Sequence, residues 1–120
     1  MRVLVADDSK AMRMIVIRTL RQSGLHVDEI REATDGAEAL GMVDEYQPNL
    51  ILSDWNMPNM TGIQFLTALR EQGNSTTFGF ITSESSSSMR EEALAAGAQF
   101  LLVKPFDADR LADLVGSSVS

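Results

Sequence analysis

Five short apolar runs alternate along the chain with longer stretches in which apolar residues return every three or four positions. The runs are Val3–Ala6, Glu29–Ala33, Leu50–Asp54, Phe78–Thr82 and Phe100–Val103. Several are unbroken, the pattern of parallel strands covered on both faces. The second carries two charges in Ile30-Arg31-Glu32-Ala33, which predicts an edge strand where charge discourages unwanted pairing.

The stretches between them read as helices. Met12, Ile15, Val16, Thr19 and Leu20 mark the first, with Gly24 where a C-terminal cap belongs. Ala37, Leu40 and Val43 mark the second, which ends before Pro48. Ile63, Leu66 and Leu69 mark the third, with Thr61 as its N-cap and Gly73 as its stop. An Ala-rich fourth is expected around Met89 to Ala96. Leu111, Leu114 and Val115 predict a short fifth closed by Gly116, leaving Gly116–Ser120 as a tail. Strand and helix in alternation imply βαβ units with right-handed crossovers. The expected fold is therefore α/β, a doubly wound (βα)5 parallel five-stranded sheet with helices on both faces. No repeat or linker divides residues 1–120, and Ser85-Ser86-Ser87-Ser88 reads as a loop ending in an N-cap.

Composition narrows the class. A chain of 120 residues sustains one core, and 44% hydrophobic content beside 22% charged residues excludes intrinsic disorder. No apolar run approaches the ~18 residues of a membrane span. Asp7 and Asp8 cut off the first apolar run before a signal-peptide core can form. With no cysteine, disulfides, thiolate metal sites and cysteine nucleophiles drop out together. A net charge of -7 argues against a nucleic-acid backbone as partner. A soluble, acidic, cytoplasmic domain is expected, with neither membrane nor nucleic acid as a direct partner.

In an open parallel sheet, ligands bind beyond the carboxyl ends of the strands, where the strand order reverses. There the first strand delivers Asp7 and Asp8, and the third delivers Asp54, followed by Trp55, Asn56, Met57 and Pro58. The fourth brings Thr82, Ser83 and Glu84, and the fifth Lys104 and Pro105. The second offers only Thr34 and Asp35, at the presumed edge. Three carboxylates in one crevice repel: two unit charges ~4 Å apart cost about 4 kcal/mol at an effective dielectric of 20. A hard divalent cation relieves this, and two carboxylates with a carbonyl suit Mg²⁺ better than a full Ca²⁺ cage. Lys104 is placed to hold a carboxylate or a phosphoryl oxygen, and Thr82 to donate a hydroxyl hydrogen bond. The lone histidine, His26, falls in a loop away from the crevice, and Ser9 has no adjacent base. No Gly-rich phosphate cradle follows the first strand, which excludes the Rossmann and P-loop readings. What remains is a carboxylate nucleophile able to accept a phosphoryl group.

In combination, Asp7-Asp8-Ser9, Ser53-Asp54-Trp55-Asn56-Met57-Pro58 with Gly62, Thr82-Ser83-Glu84 and Lys104-Pro105-Phe106 resemble the receiver domains of two-component response regulators. The likeness covers the whole chain and is greatest to the single-domain chemotaxis type. It implies the flavodoxin-like strand order 2-1-3-4-5, which periodicity does not give. It implies Asp54 as phosphoacceptor, and Mg²⁺ held by Asp8, Asp54 and the Asn56 carbonyl, with Asp7 helping through water. By the same likeness Thr82 bonds a phosphoryl oxygen and moves on activation, Ser83 leaves room, and Lys104 clamps the phosphoryl group. The Lys104–Pro105 bond is expected to be cis. Asn56 and Glu84 fall at positions that govern self-dephosphorylation, which implies a short-lived phosphoryl state. The phosphodonor belongs to a sensor histidine kinase or phosphotransfer protein, and a downstream target binds the surface of the fourth helix, fifth strand and fifth helix.

Two positions depart from the family pattern. Leu101 stands where an aromatic switch residue is common, and Phe100 is expected on the opposite face of the sheet. Thr61 replaces the common acidic residue before Gly62. The chain reads as a switch that catalyses only its own phosphorylation and dephosphorylation, either free-standing or cut from a larger multidomain regulator. A Mg²⁺-dependent phosphohydrolase using Asp54 would need a second acid where Asn56 stands. A pure interaction module would not need the complete acidic, threonine and lysine set.

Overall fold

The computed structural model describes residues 1–119; the expected tail's last residue, Ser120, lies outside them. Strands and helices alternate as β1 (Arg2–Ala6), α1 (Lys10–Gln22), β2 (Glu29–Ala33), α2 (Gly36–Tyr46), β3 (Leu50–Asp54), α3 (Gly62–Glu71), β4 (Thr77–Thr82), α4 (Ser87–Ala96), β5 (Phe100–Val103) and α5 (Ala108–Val119). The sheet is parallel with order β2-β1-β3-β4-β5. β1 and β4 each begin one residue before the apolar run that announces them.

Alternation along each strand sends side chains to two separate cores. Leu4, Ala6, Ile51, Phe78, Phe80 and Leu101 pack under α2, α3 and α4, against Val43, Phe65, Leu66, Leu69 and Ala93. Val3, Val5, Leu50, Leu52, Ile81, Phe100 and Leu102 pack on the other face, against Val16 and Leu20 of α1 and Leu111 and Val115 of α5. Fully burying one such side chain contributes about 1.5–3 kcal/mol. β2 keeps only Ala33 buried, as an edge strand does.

The helix ends follow local chemistry. Ser9 caps α1, its hydroxyl accepting the Met12 N–H at 3.2 Å, so neither Asp7 nor Asp8 is used as the cap. Gly24 follows α1 in the left-handed region at φ 81, and Gly73 follows α3 at φ 79. Thr61 and Gln64 form a reciprocal capping box on α3. Two expectations need correction. α4 starts within the serine run, capped by Ser86, so Ser87 and Ser88 are helical and not loop. α5 does not stop at Gly116 but continues to Val119, with the Ser117 and Ser118 hydroxyls donating to the carbonyls of Asp113 and Leu114. A mid-helix glycine costs only about 1 kcal/mol, and the buried Leu111 and Val115 outweigh it.

Candidate functional site

Strand register lines up the residues that matter. Ala6 pairs with Ser53, Asp54 with Ile81, and Thr82 with Val103. The residues that end or follow these strands, Asp7, Asp54, Thr82 and Lys104, therefore emerge at nearly one level. The order reverses between β1 and β3, so the crevice opens between Asp7-Asp8 on one side and Asp54 on the other.

Asp7 is fixed on several sides. Its N–H donates to the Ala33 carbonyl at 3.1 Å, carrying the β1–β2 ladder one step further. Its Oδ1 accepts the Ser9 N–H at 2.9 Å, and its carbonyl accepts from Arg13 Nη1 at 2.7 Å. Arg13 is anchored in turn by Glu32 at 2.8 Å. Asp7 is buried while Asp8 is exposed. Burial pushes the Asp7 carboxyl above the usual carboxylate range, against the Ser9 amide and Lys104, which favour the charged form.

Asp54 sits at the end of β3, half-buried. Its Oδ1 accepts the Trp55 N–H at 2.9 Å and faces the Lys104 ammonium at 3.8 Å. Its carbonyl accepts the Ser53 hydroxyl at 2.9 Å. Burial first, then the charge of Asp7, hold its carboxyl above the usual range, and Lys104 pulls the other way. The backbone of α3 approaches so closely that a Cβ on Gly62 would lie 2.3 Å from the Asp54 carbonyl oxygen and 2.7 Å from the Phe80 ring. Glycine is required there by space.

One carboxylate oxygen from each of Asp7, Asp8 and Asp54 lies within 4.8 Å of the others. Among the described residues, Lys104 faces the three carboxylates with its ammonium and Arg13, itself paired with Glu32, lies behind Asp7, so the donor set carries excess negative charge. All-oxygen ligands in that state fit a hard divalent cation.

Thr82 is buried, its Oγ1 accepting the Glu84 N–H at 3.2 Å. The Thr82 carbonyl accepts the Lys104 N–H at 2.7 Å, joining β4 to the residue after β5. Ser83 and Glu84 are exposed at the rim, and Asn56 is exposed in the loop after β3. The Lys104–Pro105 bond is cis. Pro105 and Phe106 line a shallow cavity of about 360 Å³ with Met12, Ile15 and Lys104. Leu101 is buried on the α2–α3–α4 side beside its partner Phe80, whereas Phe100 lies in the opposite core with its ring over Gly79. The separation of Leu101 and Phe100 to opposite faces is as their spacing predicts. His26 is exposed on the loop before β2, 3.0 Å from Asp28 and apart from the crevice residues.

Two residues reach the site's framework, one that the sequence did not single out and one that it placed at the edge. Arg13 grips the Asp7 carbonyl. Asp35, which reads from the sequence as a remote edge residue, instead holds Asn59 of the loop after β3 at 2.7 Å. Only the unusual density of Asn and Met after Asp54 hints that this loop is shaped for something.

A flavodoxin-like sheet with an acidic crevice at its reversal point and a lysine opposite defines a class of phosphoryl-accepting switch domains. Residues 3–116 match the family model described as the response regulator receiver domain, and the chain belongs to that family. It is 32% identical over 119 residues to chemotaxis protein CheY of Bacillus subtilis (strain 168), across 99% of this chain and 98% of that protein. It is 38% identical over 109 residues to the sensor protein EvgS of Escherichia coli (strain K12), across 91% of this chain but only 9% of EvgS. Among solved structures it resembles chemotaxis protein CheY4 of Vibrio cholerae, with a TM-score of 0.86, 37% identity, and coverage of 98% of this chain and 97% of that one.

Receiver domains as a family are signalling switches of two-component systems and not classical enzymes. Receiver domains bind Mg²⁺ at an acidic pocket and interact with histidine kinases or phosphotransfer proteins and with downstream effectors. Among the described residues no helix is long and apolar enough to cross a membrane.

Proposed function

We propose that Asp54 is the phosphoacceptor of this chain and that residues 1–120 act as one receiver unit. The reading rests above all on the three clustered carboxylates with Lys104 facing Asp54 at 3.8 Å. An Asp54 carboxylate oxygen attacks the phosphorus of a phosphohistidine on the partner kinase or phosphotransfer protein. The new bond is the acyl phosphate O–P bond; the P–N bond breaks, and the imidazole leaves with the electron pair. Asp54 must be ionised to attack, and Lys104 favours that form. Asp8, Asp54 and the Asn56 carbonyl would hold Mg²⁺ directly, with Asp7 behind them. Bound there, Mg²⁺ would offset the excess negative charge and that of the transferring group.

Lys104 then pairs with one phosphoryl oxygen. Thr82, whose Oγ1 accepts the Glu84 N–H, keeps its hydroxyl hydrogen to donate to another, and its movement toward the phosphoryl group gives the β4–α4 loop two arrangements. Ser83 leaves room beside it, and Asn56 and Glu84 set how long the acyl phosphate lasts. With Leu101 in β5, the read-out does not depend on an aromatic side chain there. A depression of about 220 Å³ between α4, β5 and α5, lined by Arg90, Leu94, Leu101 and Leu114, supports that face as the target surface. The net charge of -7 supports a protein target and not nucleic acid. Likeness to CheY supports control of chemotaxis, and likeness to a short part of EvgS supports a receiver within a larger regulator. A cytoplasmic site of action follows from such a kinase partner.

Intact mass spectrometry tests the core of this reading. With Mg²⁺ and a small-molecule phosphodonor, one phosphoryl group should add to the chain, and Asp54→Ala should abolish the addition. Persistent modification of Asp54→Ala would remove Asp54 as the acceptor. Sustained turnover of phosphate esters would instead favour the hydrolase reading, which Asn56 opposes by lacking an acidic proton.

A further inference from the structure

The loop between β3 and α3, residues 55–61, is fastened at two places. Its base is closed by the Gly62 N–H donating to the Trp55 carbonyl at 2.9 Å. Its far end is fastened to a different element, the start of α2. There Asp35 divides its two carboxylate oxygens. Oδ1 caps α2 by accepting the Glu38 N–H at 2.8 Å, and Oδ2 accepts the Asn59 side-chain amide at 2.7 Å. Next to it the Gly36 N–H donates to the Met60 carbonyl at 3.1 Å. A Cβ on Gly36 would approach that carbonyl oxygen to 2.6 Å, so the loop lies directly against the first turn of α2. Asn59 holds a left-handed backbone at φ 66, a conformation that its short amide side chain tolerates and that its bond to Asp35 helps to hold.

Asn56 lies between these fastenings. A loop carbonyl that must meet a cation with strict octahedral demands gains from being fixed beforehand, because ordering the loop then no longer opposes binding. We infer that Asp35 and Asn59 are positioning residues: the pair ties the ligand-bearing loop to α2 and keeps it in the metal-ready conformation. The inference rests on the reading of Asp54 and the Asn56 carbonyl as metal ligands.

The test uses two substitutions that spare the local fold. Asp35→Ser retains an N-cap oxygen but has no second oxygen for Asn59. Asn59→Gly retains easy access to positive φ but loses the amide. Mg²⁺ is titrated into the full chain with Trp55 fluorescence as the signal. Each variant should bind Mg²⁺ about tenfold more weakly, the lower end of what outer-sphere partners contribute, because the bond between the pair is solvent-exposed. The double variant should bind no more weakly than the weaker single. In EDTA, amide hydrogen exchange of residues 55–61 should be faster in both singles, a readout that needs no metal. Affinities within twofold of the parent in both singles, additive losses in the double, or unchanged exchange would overturn the inference alone. Failure of the parent chain itself to bind Mg²⁺ would overturn the ligand reading beneath it as well.

Discussion

At Asp54 burial and the charge of Asp7 oppose ionisation, at Asp7 burial and the charge of Asp8 do so, and the Lys104 ammonium offsets only part of the cost. Without a cation the two charged carboxylates are a local destabilisation kept for another purpose. Asp54→Asn should therefore raise thermal stability in EDTA, by about 1 kcal/mol as charge relief of this kind commonly does. Lys104→Met should act in the opposite sense, since it removes the ammonium facing Asp54 while keeping the apolar stem. Thermal unfolding of the three proteins in EDTA measures both effects. A less stable Asp54→Asn would mean that the carboxylate's bonds to Trp55 and Lys104 outweigh its repulsion.

Among the elements, β4 and β5 show how side-chain size is matched across a strand pair. Gly79 and Phe100 are register partners, and a Cβ on Gly79 would lie 2.1 Å from the Phe100 ring. The glycine that interrupts Phe78-Gly79-Phe80 is thus the room that an aromatic residue on β5 needs. Gly79→Ala should cost about 1–3 kcal/mol by overpacking. Combined with Phe100→Leu it should cost less than the two singles added, by about 1 kcal/mol, because the smaller side chain vacates the space. Urea denaturation of the four proteins gives the coupling, and strict additivity would show that Phe100 moves aside freely. The helix ends obey the same local logic, as Ser9, Thr61 and Ser86 do in capping α1, α3 and α4.

Across the whole molecule, the strand reversal between β1 and β3 concentrates acid at the carboxyl end of a sheet whose inner strands are buried in apolar side chains on both faces. This sets a pH dependence. Asp7 and Asp54 both titrate above their ordinary value of 3.8 in the folded chain. Between the unfolded and folded values the folded state holds protons that the unfolded state has released, so rising pH lowers stability. Their contribution is most favourable below the unfolded value, falls as pH rises through the folded values, and is flat above them. The stability difference between the parent and Asp54→Asn in EDTA should therefore widen from acid towards neutral pH, and near-saturating Mg²⁺, which the variant binds poorly for want of the Asp54 ligand, should reverse its sign. Mg²⁺ at 100 times its dissociation constant adds about 2.7 kcal/mol. Unfolding midpoints measured across pH, with EDTA and with Mg²⁺, check both statements; a difference independent of pH would count against the raised titration of Asp54.

The amino-acid sequence by itself determined the five strands, because short unbroken runs such as Leu50-Ile51-Leu52 suit a strand covered on both faces and the charged Glu29–Ala33 suits an edge strand. It also determined which side chains end those strands, so Asp7, Asp8, Asp54, Thr82 and Lys104 were all legible as one candidate crevice. Periodicity is a local signal, and it failed where packing from elsewhere decides: α5 passes Gly116 because Leu111 and Val115 are held by the opposite core. Tertiary structure alone decided the 3.8 Å approach of Lys104 to Asp54, the space over Gly79 and the reach of Asp35 to Asn59. Those pairs lie far apart along the chain, and only the closing of the sheet and the seating of its helices bring them together.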